Sequence, residues 1–181
     1  MRARQLPLIL VIGVLLLAGC VPQPAEDPVE PAPSSAPVFA SEEEALAAAV
    51  AAYEEYLKVS DAIAADGGAN PERLKDLVTE EWYEKEADVF SSVTETGLFQ
   101  TGSTQVGRTD LQDFAQDEAP PRIAIYACTD FSGTGFVDAS GAEAAPPGRP
   151  EILAFQVTFQ VTSSGNLRLA GSEPWSEYSC S

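Results

Sequence analysis

The chain predicts an α+β domain, because its hydrophobic period changes part-way along. From Ser41 to Thr96, apolar residues recur every three or four positions, as on one face of a helix; from Leu98 they alternate with polar ones, as on a half-buried strand. Helices first and strands afterwards is a segregated order, not the alternation that builds a parallel sheet. The expected architecture is three N-terminal helices packed on a curved antiparallel sheet.

The first helix opens at Ser41-Glu42-Glu43-Glu44, which has the form of a capping box. Ser41 is the N-cap, Glu44 is at N3, and three carboxylates sit in the positively polarised first turn. Leu46, Ala49, Val50, Tyr53, Leu57, Ile63 and Ala64 follow with helical spacing, and Glu54, Glu55, Lys58 and Asp61 fall opposite. Asp66-Gly67-Gly68 stops it, since glycine enters the left-handed conformation that ends helices without a Cβ clash. Asn70-Pro71 reads as the start of a short second helix, a cap followed by proline at the first helical position. Thr79-Glu80-Glu81 caps a third, carrying Trp82, Tyr83, Ala87, Val89, Phe90 and Val93 until Gly97.

Strands are expected over Leu98–Val106, Arg108–Phe114, Arg122–Phe131, Glu151–Thr162 and Leu167–Gly171. The clearest is Glu151–Thr162, where Leu153, Phe155, Val157, Phe159 and Val161 alternate with Ala154, Gln156, Thr158, Gln160 and Thr162. In Arg122–Phe131, Ile123, Ile125, Ala127 and Thr129 share one side, and Ala124, Tyr126 and Cys128 the other. Ser163-Ser164-Gly165-Asn166 is a hairpin turn, and Asp138–Pro150 is a flexible loop.

Ahead of this domain, at 41–181, lie two segments of different character. Residues 1–19 carry Arg2 and Arg4, then an uncharged run from Leu6 to Ala18 that is shorter than the roughly 20 residues of a spanning helix. The run ends in Leu17-Ala18-Gly19-Cys20, which resembles the lipobox of bacterial lipoprotein signals. That resemblance implies cleavage before Cys20 and acylation of its thiol with palmitate-type chains. The plainer alternative is an ordinary secretory signal with an incidental cysteine. Each buried CH₂ contributes about 0.8 kcal/mol, so two or more chains would hold the protein to the outer face of the bacterial cell membrane. Residues 20–40 then form a tether with Pro22, Pro24, Pro28, Pro31, Pro33 and Pro37, able to reach about 60 Å as extended polyproline II.

Charge and cysteine usage narrow the partners. The chain has 10 basic and 28 acidic residues; without Arg2 and Arg4 the balance is eight against 28, or −20. Such a field repels phosphate backbones, which excludes nucleic acid and leaves the lipid anchor as the contact with membrane. With Cys20 assigned to the lipobox, export places Cys128 and Cys180 where disulfides persist, and a bond between them is expected over two free thiols. There is no histidine to activate a catalytic thiol or hydroxyl, and neither a metal nor a cofactor motif. The acidic groups Glu80, Glu81, Glu84, Glu86, Asp88 and Asp110, Asp113, Asp117, Glu118 lack the spacing of a calcium loop and read as solvated faces.

The stretches Tyr53–Gly68 (YEEYLKVSDAIAADGG), Leu77–Glu84 (LVTEEWYE) and Leu169–Trp175 (LAGSEPW) are similar to uncharacterised high-GC bacterial lipoproteins with a nuclear transport factor 2-like domain. This resemblance implies a cone in which helices and sheet enclose a pocket, with Trp82 and Trp175 at its ends. Tyr53, Tyr56, Tyr83, Tyr126 and Asp130 are the candidate pocket residues. Cone-fold enzymes pair Asp with His or Tyr, and half of that pattern is missing here. The expectation is a non-catalytic extracytoplasmic domain binding a small apolar ligand or a protein partner. One alternative is an acid–base enzyme of isomerase or dehydratase type using Asp and Tyr; another is a structural surface protein with no pocket, which would show a solid core.

Overall fold

The computed structural model describes residues 38–145 and 147–180; the signal at 1–19, Cys20 and most of the tether lie outside the described residues. Helix α1 runs over Glu42–Ala65. Ser41 Oγ accepts the Glu44 N–H at 3.1 Å, and Glu44 Oε2 reaches back to the N–H of Ala40 at 2.8 Å, one residue beyond the cap itself. At the other end the Gly68 N–H bonds to the Ile63 carbonyl and the Gly67 N–H to that of Ala64, a Schellman termination. Gly68 has φ +83 and is buried, and a Cβ there would run into the Phe90 carbonyl and Thr94 Oγ1.

Among the described residues the chain forms two α-helices, not the three expected. Asn70 takes a left-handed conformation (φ 57) and makes no capping bond, so Pro71–Leu74 closes a single 3₁₀ turn. The residues after it are drawn to the sheet instead: Leu169 donates to the Leu77 carbonyl, and Thr79 donates to that of Leu169. Arg73 in this turn gathers the Ala69 and Asn70 carbonyls and the Asp66 carboxylate around its guanidinium, placing a cation at the negative end of α1. Helix α2 covers Glu80–Thr96, with Thr79 Oγ1 accepting from the Trp82 N–H at 3.3 Å. Phe90 is its one buried side chain, while Val89, which shares the apolar spacing, is 56% exposed.

Among the described residues six strands follow: β1 (Phe99–Gly102), β2 (Gln105–Ala115), β3 (Arg122–Asp130), β4 (Thr134–Val137), β5 (Ile152–Val161) and β6 (Leu167–Pro174). A four-stranded antiparallel meander has the order β2-β3-β5-β6, and β1 pairs with β4 in a separate two-stranded sheet. The break expected at Gly107 falls instead at Gly102, whose φ of +74 sets it against the Gly133 backbone; Gly107 is absorbed into β2. β2 slips register against β3 twice, between Val106 and Thr109 and between Leu111 and Asp113, and β6 slips once against β5. Each extra residue bends its strand and increases the local twist. Asp61 of α1 clamps the β1–β2 corner, accepting from Gln100 Nε2, Thr104 N and Thr104 Oγ1 at 2.6–2.7 Å.

The core lies between α1 and the sheet. Ala45, Ala49, Tyr53, Tyr56, Leu57 and Ile63 of the helix meet Ile123, Ile125, Ala127, Val157, Phe159, Val161 and Leu169 of the strands. The alternation in β3 and β5 thus points the expected residues inward. The loop after β4 is held rather than free: Arg149 donates to the Phe131 and Thr134 carbonyls and to Thr134 Oγ1, and Ala144 donates to Phe136.

Candidate functional site

The five candidate pocket residues do not converge. Tyr53 and Tyr56, one helical turn apart on α1, stack with ring centroids 6.1 Å apart. Tyr53 Oη and Thr129 Oγ1 share a buried hydrogen bond of 3.0 Å, and burial pushes the phenol up. Tyr83 lies on α2 beside Lys75, whose ammonium is 4.9 Å from its ring. Tyr126 is on the other side of the sheet. Asp130 ends β3, accepts the Ser132 N–H at 2.8 Å, and is held below the usual carboxylate range by its bonds from Ser132. The space between α1 and the sheet is filled by Tyr53, Ile123, Ile125, Val157, Phe159 and Leu169, each no more than 2% exposed.

The carboxylate that is drawn into the protein is Glu86, which the pattern of α2 had grouped with a solvated acidic face. It is half-buried and accepts the Tyr56 hydroxyl at 2.8 Å. Burial raises its pKa, partly offset by the bond from Tyr56 and by the Trp82 indole. The Trp82 indole N–H is buried and completes no hydrogen bond, and neither does the Ser60 hydroxyl. Tyr56 is pushed well up by burial and then by the Glu86 charge. The signal in the sequence is its spacing: Glu86 is four residues after Trp82, so it shares a face of α2 with that apolar residue. Its side chain lines none of the described clefts.

Those clefts are at the surface. One of about 320 Å³ runs between α1 and the start of β2, past Glu54, Lys58, Asp61 and Thr104. Another, about 350 Å³, lies at the start of α2 and is lined by Lys75, Glu80, Tyr83, Glu84 and Arg168. A third of about 300 Å³ adjoins it, sharing Glu80 and Arg168 and reaching Pro120 and Ser163.

On the outer face of the sheet, the chain's own C-terminal segment packs over Tyr126 and Cys128. Cys180 is disulfide-bonded to Cys128 of β3, with Cα atoms 5.6 Å apart. Trp175 and Tyr178 pack on Tyr126 at 5.9 and 5.1 Å between centroids, so Trp175 belongs to this layer and not to the end of a cone. The Tyr178 hydroxyl donates to Asp110 at 2.6 Å, and Arg108 both pairs with Asp110 at 2.8 Å and lies over the Tyr178 ring. Burial, then the bond to Asp110 and its charge, push Tyr178 up to about 12; the same bond, with Arg108, lowers Asp110.

No protein-family model matches the chain, and no curated protein matches it. Among solved structures it is similar to the intermembrane-space region of the chloroplast protein ARC6, with a TM-score of 0.51 and 8% identity, over 71% of this chain and 95% of that one. At that identity the likeness concerns the fold alone.

Proposed function

We propose that this chain is a lipid-anchored, extracytoplasmic bacterial lipoprotein whose cone-like domain is a non-catalytic binding module, engaging a protein partner through its surface. The observation that carries this reading is the packed layer between α1 and the sheet. With Tyr53, Ile125 and Phe159 filling that space, recognition falls to the outside of the domain in preference to an apolar ligand within it. The cone-like arrangement is supported by α1 lying across a four-stranded antiparallel meander bent at three bulges. Export is supported by the lipobox and by the Cys128–Cys180 bond, which suits an oxidising compartment.

A second reading has one observation in its favour. Glu86 is a partly desolvated carboxylate within hydrogen-bond reach of Tyr56, a pairing an acid–base enzyme would need. The same Tyr56–Glu86 bond also serves as a structural tie between α1 and α2.

Three experiments test these readings. Cys20→Ser should release the protein from membranes and remove the acyl mass from its N-terminus; sedimentation of that variant with membranes would overturn the anchor. Photocross-linking on intact cells should join the anchored chain to one discrete protein, with no change for Glu86→Gln. An isomerase or dehydratase turnover that disappears in Glu86→Gln and Tyr56→Phe would replace the binding reading with the enzymatic one.

A further inference from the structure

Of the eight lysines and arginines among the described residues, six use their charged nitrogens in hydrogen bonds. Arg108, Arg122, Arg73, Lys58 and Lys85 bond to carboxylates, and Arg149 to Thr134 and backbone carbonyls. The charged groups of Lys75 and Arg168 make no hydrogen bond: the Lys75 ammonium lies over the Tyr83 ring, and Arg168 forms only a loose ion pair, at 4.0 Å, with Asp76, a fully exposed carboxylate. These two under-used cations come from different elements, the turn before α2 and strand β6, and they line the same cleft of about 350 Å³. Glu80 and Glu84 line it too, and neither is paired with Lys75 or Arg168. Tyr83 forms a wall beneath Lys75.

We propose that this cleft binds a small zwitterion of the α-amino-acid class. Its carboxylate would lie between Lys75 and Arg168, its ammonium would face Glu80 and Glu84, and its side chain would pack along Tyr83. The charges decide the class. A simple anion would meet two carboxylates in the cleft and the field of a chain with formal charge −18. A simple cation would meet Lys75 and Arg168. A ligand of zero net charge carrying both groups meets complementary partners and no net repulsion at long range. The volume is at the small end of ligand sites, which suits a single amino acid. Because all four charged side chains remain accessible, each ion pair contributes little, and affinity in the millimolar range is expected. The site depends neither on the lipid anchor nor on a protein partner, so its failure would leave the proposed function standing.

The full chain in detergent micelles, isotopically labelled, is to be titrated by NMR with glycine, leucine and phenylalanine. Their N-acetyl derivatives, which lack the ammonium, their methyl esters, which lack the carboxylate, and inorganic phosphate complete the panel. Expected are saturable shifts centred on Lys75, Tyr83 and Arg168 for at least one free amino acid. Affinity should be weaker by roughly two- to fivefold for each blocked derivative, and likewise for Lys75→Gln, Arg168→Gln and Glu84→Gln, with their spectra otherwise unchanged. No saturable shift at tens of millimolar, equal binding of the blocked derivatives, or phosphate binding that tightens in Glu84→Gln would each overturn the proposal.

Discussion

Tyr126 and Tyr178 stack with ring centroids 5.1 Å apart and planes 21° from parallel, on the side of the sheet turned away from α1. The contact holds a terminal segment that belongs to no strand against the middle of the meander. The Cys128–Cys180 bond lies two residues from each ring along the chain.

That bond should carry much of the segment's order. In the chain-entropy picture a cross-link spanning 52 positions stabilises by about 4 kcal/mol, with measured values for natural disulfides typically about 2–5 kcal/mol. Replacing both cysteines by alanine should lower the urea midpoint accordingly. Hydrogen exchange should accelerate at Trp175 and Tyr178 more than at Val157 in the core. Equal protection of the tail in both proteins would show that the aromatic contacts hold it unaided.

Tyr178 should titrate as an unusual phenol. Its pKa is pushed up to about 12 by burial and by the bond to Asp110. Asp110→Asn removes the charge and should bring tyrosinate formation down toward the ordinary value, read by ultraviolet absorbance against Tyr178→Phe. The reciprocal effect appears in acid: Asp110 is lowered, so its contribution is present above the ordinary aspartate pKa and is lost as pH falls through its folded value.

Glu86 has the opposite sign. Its pKa is raised in the folded protein, so its contribution is complete below the ordinary glutamate value and is lost as pH rises through the folded one. Glu86→Gln keeps an acceptor for Tyr56 without the charge. It should be more stable than the parent at neutral pH, with the two denaturation midpoints converging in acid. A gap that widened in acid would contradict this assignment.

Gly68→Ala should destabilise by more than about 1 kcal/mol, because it adds a left-handed penalty to a collision with the Phe90 carbonyl. Thermal melting should show a lower midpoint, while an alanine at exposed Gly141, which has nothing near it, should pay the left-handed penalty alone.

Much of this fold was legible because local chemistry and tertiary packing agree. Ser41 and Thr79 cap the helices they were expected to cap, and the two-residue alternation of β3 and β5 sends Ile125 and Val157 inward. The failures share a physical cause, which is that a neighbour distant in sequence decided the outcome. Asn70-Pro71 has the composition of a helix start, but β6 captures the backbone at Leu77 and Thr79 after one turn. Gly107 looks like a strand break, yet β3 supplies a partner across it, while β4, too short to show an alternation, becomes visible when it pairs with β1. The site was less legible still. The alternation of β3 already sets Tyr126 opposite Ile125, so only residue type links it to Tyr53, and Glu86 is hidden among carboxylates of similar spacing.

The bridge from Leu77–Thr79 to Leu169 has a consequence for molecules that meet one another. An outer strand with a free row of backbone donors and acceptors invites a second sheet to add on. At β6 part of that row is already occupied by the chain itself. At β2, the other margin of the meander, two bulges break the register and Arg108, Asp110 and Asp113 stand along the strand. Crowded copies of this domain are thereby denied a flat, matching margin on either side, which protects against edge-to-edge aggregation where protein concentration is high.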